Sequence, residues 1–497
     1  MLQTVRELIA ELRPLSVTGN PDTAVRSIVT DSRRVQPGDL FVALAGIQAD
    51  GHRFIAAAVA AGAASVVCRQ PPMGEPRPAC LVVVEDTATA LGLLASAYHG
   101  HPTRRMRLLG VTGTDGKTTT TLLTAAILRA AGHRTAHFTT VEFHNGVTAR
   151  ANQAGFTTPQ APELQSLLAE AAFSGATDAV LEVSSHALAT GRVAGCEFDV
   201  AVFTNLAPEH LDYHPTLDDY RSAKLRLFDQ LRQPRHKPHE PVGVVNLDDP
   251  SAAQFIAAAP TALTWGLDTP ADVTARSVAL RPDGTDFTLV TPHGETPIRT
   301  ALLGRFNVRN WLAAATAAMA CGAAPEHVAA AASVIAPPPG RMERLTVPRA
   351  FSVYVDFAHT PQGLGAAVAT VNAIHPGHRP IVVFGHAGRR DTHHRRDLVA
   401  AAQQSGACFV LTMDDPYDED PAAILEEMRR EALALGCREG TDFFCVLDRR
   451  EAFSKAFSLA DPGDAVLLAG RGHERAIPIN GAEVPFHDAT VALELLA

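Results

Sequence analysis

Short, continuously apolar runs alternate with helix-length segments along much of this chain. Residues 106–109 are apolar but for Arg107, a turn rich in Gly and Thr follows, and residues 122–131 carry a helical pattern. Ala179-Val180-Leu181-Glu182-Val183 and Val200-Ala201-Val202-Phe203-Thr204 are further short runs, the pattern of parallel strands covered on both faces. The same rhythm returns in residues 381–385, 409–413 and 465–470. Residues 220–228 and the Ala-rich 313–320 read as helices, and residues 1–7 as an amphipathic helix rather than a secretory leader. The pattern predicts an α/β protein. Two polar, Pro-containing breaks, Gly100-His101-Pro102-Thr103-Arg104-Arg105 and Pro337-Pro338-Pro339-Gly340-Arg341, divide it into three expected domains, 1–104, 105–336 and 337–497. A third Pro-rich stretch, 233–241, reads as a surface loop within the middle one.

The expected strands end in polar residues: Ser184-Ser185-His186 after one, Asn205 leading to His210 after another. In an open α/β sheet, ligands bind beyond the carboxyl ends of the strands. Those two tips and the loop at 110–120 therefore point to one site. In the C-terminal third the tips are His386-Ala387-Gly388-Arg389-Arg390-Asp391, Asp414-Asp415-Pro416-Tyr417 and Arg471-Gly472-His473-Glu474. Together they predict a second binding face, although each taken singly also reads as a solvated loop.

The loop Gly110-Val111-Thr112-Gly113-Thr114-Asp115-Gly116-Lys117-Thr118-Thr119-Thr120 carries the most information. A strand, a Gly-rich turn and Lys-Thr opening a helix aim backbone N–H groups at an anion. Lys117 is placed to reach terminal phosphates and the Thr118 hydroxyl to ligate Mg²⁺. The first Gly of the common phosphate-loop pattern would fall on Val111, so the shorter core Gly113-Thr114-Asp115-Gly116-Lys117-Thr118 remains.

Composition narrows the field. The chain has 497 residues, is 46% hydrophobic and carries a net charge of −10, which argues for a multi-domain globular protein and against a general nucleic-acid or membrane-surface binder. No stretch has the length and purity of a membrane span. Seven scattered cysteines form no C-x-x-C pair and read as thiols of a reducing cytoplasm.

With these residues in view, the chain resembles the Mur ligases, most closely those that add the third peptide residue to the cell-wall precursor. The resemblance spans almost the whole length. It rests on Thr30-Asp31-Ser32-Arg33-Arg34 and Asp50-Gly51-His52, the phosphate loop, Thr157-Thr158-Pro159 and the segment from Glu182 to Leu188. It continues through Phe203-Thr204-Asn205-Leu206, His210-Leu211-Asp212-Tyr213-His214 and Ala223-Lys224-Leu225-Arg226-Leu227-Phe228. Later matches are Gly304-Arg305-Phe306-Asn307, Gly340-Arg341-Met342-Glu343, Asp356-Phe357-Ala358-His359-Thr360-Pro361 and the segment from Ala469 to Glu474.

The resemblance implies a three-domain architecture: a UDP-MurNAc-binding domain, a central P-loop ATPase-like domain and a Rossmann-like, amino-acid-binding C-terminal domain. It implies ATP-dependent ligation of a diamino acid to UDP-MurNAc-L-Ala-D-Glu through an acyl phosphate, in a cytoplasmic monomer that uses Mg²⁺. For ATP it implies Gly113, Thr114, Asp115, Gly116, Lys117, Thr118 and Thr119, with Asn307 at adenine, Asp356 at ribose, Arg341 at the γ-phosphate and His359 nearby. Thr118 and Glu182 would hold one Mg²⁺, and His210 with Lys224 a second. From the helical pattern alone Lys224 is a solvated surface charge; the resemblance implies a lysine carbamylated by CO₂. Ser32 and Arg33 would face uridine, while Thr157, Thr158, Ser184 and Arg192 would hold the sugar–dipeptide carboxylate end. Arg390, Asp414, Asp415, Gly470 and Glu474 would bind the incoming amino acid.

Departures bear on substrate choice. Ligases for meso-diaminopimelate carry Asp-Asn-Pro-Arg where this chain has Asp414-Asp415-Pro416-Tyr417. Without that bidentate guanidinium, and with Asp418, Glu419 and Asp420 expected to add negative charge, the pocket is predicted to prefer lysine or ornithine. Asp115 and Glu209 replace the common Asn and Asp and keep polarity. A folylpolyglutamate-type or cyanophycin-type ligase and a catalytically silent nucleotide-binding partner are the alternatives. The Asp31-Ser32-Arg33 signature opposes the first, and intact Lys117, Glu182, His210 and Lys224 oppose the second.

Overall fold

The computed structural model describes the chain apart from Met1, Ile47, Gln48, Met73, Glu75, Pro76, Gln153, Ala154, Gly155, Leu211, Asp212 and Asp391. Of the expected site segments, Leu211, Asp212 and Asp391 thus lie outside the described residues.

Three larger sheets follow one another along the chain. The first has five strands in the order Ser16–Gly19, Cys80–Val83, Ser65–Cys68, Leu40–Val42, Ile28–Val29, parallel except for its first pair. The second has eight strands, with Arg107–Thr112 flanked on both sides by parallel partners, Asp178–Glu182 and Val200–Phe203. The third has six, with Ala465–Ala469 parallel to Ser352–Asp356 on one side and to Ile381–Phe384 on the other, followed by Cys408–Leu411 and Phe443–Cys445. The apolar runs read from the sequence are these central strands, and burial on both faces is why they lack alternation.

Helices cover both faces of the eight-stranded sheet. Lys117–Ala130 and the Ala-rich Arg305–Ala320 pack together on one face, where Leu123, Ile127, Trp311 and Leu312 are buried with Val111 and Val202. The runs of Ala in the second helix let the two backbones approach closely. On the other face Ala161–Phe173 and Leu217–Gln230 bury Leu164, Leu168, Leu227 and Phe228 against Leu181 and Phe203.

Several expectations change. The N-terminal helix is only Val5–Leu8, because Thr4 caps it and pairs in the short strand Gln3–Thr4. The break at 100–105 contains a 3₁₀ turn, Pro102–Arg105, with Pro102 and Thr103 buried. The 233–241 loop is largely exposed, but it is tethered: Arg235 and Lys237 each lie 2.5 Å from the carboxylate of buried Asp199. An antiparallel three-stranded sheet, Thr274–Arg281, Gly284–Thr291 and Gly294–Thr300, has no counterpart in the sequence reading.

Candidate active site

Register places the chemistry. Glu182 ends its strand opposite Val111 and Phe203 ends its strand opposite Thr112, so both neighbours present their tips beside the loop that leaves the central strand. Two glycines in that loop have no tolerated replacement. A Cβ on Gly113 would lie 1.8 Å from Thr204 Oγ1, and one on Gly116, at φ 82°, 2.3 Å from Asn310 Oδ1. The segment after Phe203 pins the loop: Asp115 N donates to Asn205 Oδ1 at 2.9 Å, and Ala207 N donates to Thr114 Oγ1 at 2.9 Å. Helix Lys117–Ala130 starts without a side-chain cap at Gly116, and its first-turn residues Lys117, Thr118 and Thr119 line the cleft, the place where a helix offers N–H groups to an anion.

The cleft encloses about 470 Å³. Thr114, Asp115, Gly116, Lys117, Thr118 and Thr119 line it, together with Glu182, Thr157, Arg341, Asp356, His359 and Arg390. The buried Glu182 carboxylate accepts from Thr118 Oγ1 at 3.0 Å and from the N–H of Thr140 at 3.0 Å. Arg341 crosses from the linker after residue 336, its Nη2 donating to Thr118 Oγ1 at 3.3 Å while its guanidinium lies over the Phe357 ring. Asp356 accepts the N–H groups of Met342 and Ala358. Burial is the main reason its carboxyl rises to about 6.

Lys117 folds back onto the loop, donating to the carbonyls of Thr114 at 2.7 Å and Gly113 at 3.2 Å. Lys224 donates to the same Gly113 carbonyl at 2.6 Å and lies against the Tyr220 ring. The solvated-charge reading of Lys224 is therefore wrong: helix Leu217–Gln230 turns it inward, and it is 1% exposed. Burial, reinforced by the nearby Lys117 ammonium, holds its pKa well below the usual lysine value.

A smaller cavity of about 100 Å³ adjoins the first. Glu209, His210, His359 and Arg390 line both, and Asp414, Asp415, Tyr417, Gly470 and Glu474 line the second. His359 Nε2 and Glu209 Oε1 are 3.1 Å apart, and Arg390 Nη1 is 3.3 Å from His210 Nδ1, so groups from residues 352–390 close on the central sheet. Burial alone would raise Glu209, but His210 and His359 hold it well below the usual carboxylate range. Burial pushes His210 down to about 3 and Glu474 up to about 7, the latter helped by Asp414. Arg471, fully buried, pairs with Asp415 and lies 3.6 Å from Asp414 and 3.5 Å from Glu474.

Not every expected residue is brought here. Asn307 does not line the cleft: its amide donates to the Leu303 carbonyl at 2.8 Å and accepts from Asn310, the residue that does line it. Ser32 and Arg33 lie away from both cavities, with Arg33 exposed and paired with Asp31. Thr158, Ser184 and Arg192 form their own cluster, Arg192 donating to the Thr158 carbonyl at 3.0 Å, beside Thr157 at the cleft edge. The acids after Tyr417 do not enter the pocket. Asp418 pairs with Arg389, Glu419 with Arg395, and Asp420 caps helix Pro421–Ala434. Residues the sequence reading passed over include Thr140 on Glu182, Tyr220 under Lys224, and Asn310 against Gly116. Each is an ordinary helix or loop residue until the fold sets it there.

Comparison with known proteins places this geometry. Residues 24–99 match the Mur ligase family catalytic domain, 111–318 the Mur ligase middle domain and 340–472 the Mur ligase glutamate ligase domain. The chain is 42% identical over 487 residues to UDP-N-acetylmuramyl-tripeptide synthetase of Roseiflexus sp. (strain RS-1), covering 96% of this chain and 95% of that protein. It is 40% identical to UDP-N-acetylmuramoyl-L-alanyl-D-glutamate--2,6-diaminopimelate ligase of Geobacillus kaustophilus (strain HTA426), covering 95% of each. A solved structure of a UDP-N-acetylmuramoyl-L-alanyl-D-glutamate--2,6-diaminopimelate ligase superposes with a TM-score of 0.69 at 31% identity, covering 100% of this chain and 99% of that one. The chain belongs to the Mur ligase family, whose members are ATP-dependent amide ligases.

Proposed function

We propose that this chain joins a diamino acid, as the third peptide residue, to UDP-N-acetylmuramoyl-L-alanyl-D-glutamate, with ATP giving ADP and phosphate, in peptidoglycan precursor synthesis. The observation that carries it is the joining of a phosphate-loop cleft to an acid-lined pocket through five shared residues, Glu209, His210, Phe357, His359 and Arg390. One end suits a nucleoside triphosphate and the other an amine.

Amide formation from a carboxylate needs activation, because an oxyanion is a poor leaving group. The substrate carboxylate attacks the γ-phosphorus, ADP departs and an acyl phosphate forms. The amine then attacks the acyl carbon, phosphate departs and the amine loses a proton. Such phosphoryl transfer is limited by alignment and charge neutralisation. The loop N–H groups, Lys117 and Arg341 would hold the transferring phosphate, and Asp356 the ribose. Thr157, Thr158, Ser184 and Arg192 would hold the acceptor carboxylate, with Ser32 and Arg33 toward uridine.

Thr118 Oγ1 and the Glu182 carboxylate, buried and in contact, form a hard oxygen pair that fits Mg²⁺. The ion supplies charge neutralisation to the phosphates. An ammonium on Lys224 does not fit a second ion beside His210, whereas a carbamate does. Formation of the carbamate joins the neutral amine to CO₂ with loss of a proton, and the crowding of two lysines on one carbonyl favours the neutral amine. Arg390 would take the α-carboxylate of the amino acid, and Asp414, Asp415 and Glu474 its distal ammonium. We further assign the domain limits 1–104, 105–336 and 337–497, and a cytoplasmic, monomeric enzyme; no helix among the described residues is long and apolar enough to cross a membrane.

The pocket favours lysine or ornithine over meso-diaminopimelate. Arg390 is the only arginine or lysine among the described residues lining it, one guanidinium for one carboxylate. Arg389 and Arg395, the nearest substitutes, are held by Asp418 and by Glu419 with Glu427. The test is phosphate release from ATP with the UDP-dipeptide and a panel of amino acids. Release requiring both co-substrates, with ADP as product, is expected; AMP and pyrophosphate would overturn the acyl-phosphate reading.

A further inference from the structure

Beyond the loops that line the amino-acid pocket stands a hairpin that touches neither cavity. It pairs Ala476–Ile479 with Ala482–Pro485 around Asn480-Gly481, both with positive φ, 50° and 81°. That turn needs residues tolerant of the left-handed region, and Asn-Gly supplies them. The hairpin grips Tyr417. Tyr417 N donates to the Pro478 carbonyl at 3.0 Å, Asn480 N donates to the Tyr417 carbonyl at 2.5 Å, and Tyr417 bridges Ile479 as a one-residue strand. Tyr417 itself sits at φ 55°, a conformation an aromatic residue holds only when its surroundings impose it.

One face of the Tyr417 ring is covered by Arg389, also left-handed at φ 57°, whose guanidinium lies 5.5 Å from the ring centroid. Arg389 Nε donates to Asp418 Oδ1 and its backbone N–H to Glu419 Oε1, both at 2.5 Å. At the base of the hairpin, Arg471 Nη2 donates to the Ala476 carbonyl while Nη1 holds Asp415. The strained backbone of Tyr417 and the placement of Asp415 are thus both anchored to one hairpin.

We propose that the hairpin Ala476–Pro485 is a specificity element, with Pro478 and Asn480 as positioning residues that set the Tyr417 ring as the far wall of the pocket. This rests on the proposed ligation of a diamino acid. In this arrangement the wall ends the space available to the side chain and presents a ring, backed by a committed arginine, where a second carboxylate would need a free donor. The sequence motif at 414–417 selects only as far as the hairpin holds it.

The test uses the full-length enzyme. Asn480→Val places a β-branched residue at φ 50°, which should open the turn; Asn480→Gly keeps it. Relative to wild type, Asn480→Val should raise KM for the preferred diamino acid about fivefold and narrow the kcat/KM ratio between lysine and meso-diaminopimelate about tenfold. KM for ATP and for the UDP-dipeptide should stay put, and Asn480→Gly should behave as wild type. Hydrogen exchange over residues 476–485 reports whether the hairpin has opened, and Asn480→Ala, less strained, gives a second reading should Asn480→Val fold poorly. An opened hairpin with unchanged discrimination, or an equal rise in KM for all three substrates, overturns the inference. A wild-type enzyme that ligates no diamino acid would instead overturn the proposed function.

Discussion

The two ends of the cleft solve opposite problems with opposite construction. The phosphate end is contiguous: residues 113–119 run from one loop into the first turn of one helix, and the loop backbone is pinned by Asn205 and Thr204. The amino-acid end is assembled from the tips of three strands, a distant hairpin and a buried arginine, and its contacts are side-chain charges. A loop of amides recognises any phosphate, so it can be the same in every ligase that uses ATP. A pocket of charges on separate loops can be re-tuned one residue at a time. The comparison predicts that damage at the first end removes turnover outright, whereas damage at the second redistributes it among substrates.

The largest loss belongs to Lys117→Ala. It removes the cation that the loop holds for the terminal phosphates, and kcat should fall by roughly 10³-fold or more. The mutant should unfold at the wild-type temperature, since among the described residues the Nζ bonds two carbonyls of its own loop and nothing beyond it. A mutant within tenfold of wild type would dissolve the contrast between the two ends.

Lys224→Ala comes next, with a loss of about 10²-fold. If the residue works as a carbamate, acetate or another short carboxylate should restore part of the rate, a recovery Lys117→Ala should not show. Full activity without rescue would remove Lys224 from the catalytic machinery and return it to a buried structural amine on the Gly113 carbonyl.

These residues also mark what the sequence could tell. The central strands, the phosphate loop and the split between a nucleotide end and an acidic end were legible because each is a local pattern: an apolar run, a Gly-Lys-Thr turn, a charged tip. Lys224 was not legible from pattern alone, since nothing local says that a helical lysine points inward to a carbonyl 111 residues away. Asp418, Glu419 and Asp420 misled for the same reason. An acid beside a pocket motif counts toward the pocket only if its side chain lines it; Asp414 and Asp415 do, whereas Arg389, Arg395 and a helix N-terminus draw Asp418, Glu419 and Asp420 away. Asn307 shows the converse, a motif residue whose amide serves the neighbouring helix turn while Asn310 faces the ligand space.

At the amino-acid end, Tyr417→Arg is expected to shift the lysine-to-diaminopimelate ratio of kcat/KM about thirtyfold toward diaminopimelate, the order of one bidentate carboxylate pair in a desolvated site. KM for ATP should not change. A wild-type enzyme that already favours meso-diaminopimelate would show that Arg390 serves both carboxylates and that Tyr417 does not decide the choice.

The smallest effect separates the two ends by pH. Glu474 is held near 7, by burial first and by Asp414 second, against the pull of Arg471. Its carboxyl is therefore mostly neutral at pH 6 and mostly ionised at pH 8, whereas the distal ammonium of lysine keeps its charge throughout. If Glu474 helps hold that ammonium, KM for the amino acid must fall as pH rises through this range, by about three- to tenfold, because only the ionised form pairs with it. The sign is fixed by the direction of the shift: an acid raised toward neutrality gains its binding charge on the alkaline side. His359, raised above its ordinary value by Glu209 despite burial, also loses charge as pH rises, but it lines the phosphate end as well, so its titration should move KM for ATP too. Glu474→Gln should flatten the amino-acid profile and leave the ATP profile intact. A profile that keeps its slope in Glu474→Gln would move the titrating group to His359 and leave Asp414 and Asp415 as the ammonium partners.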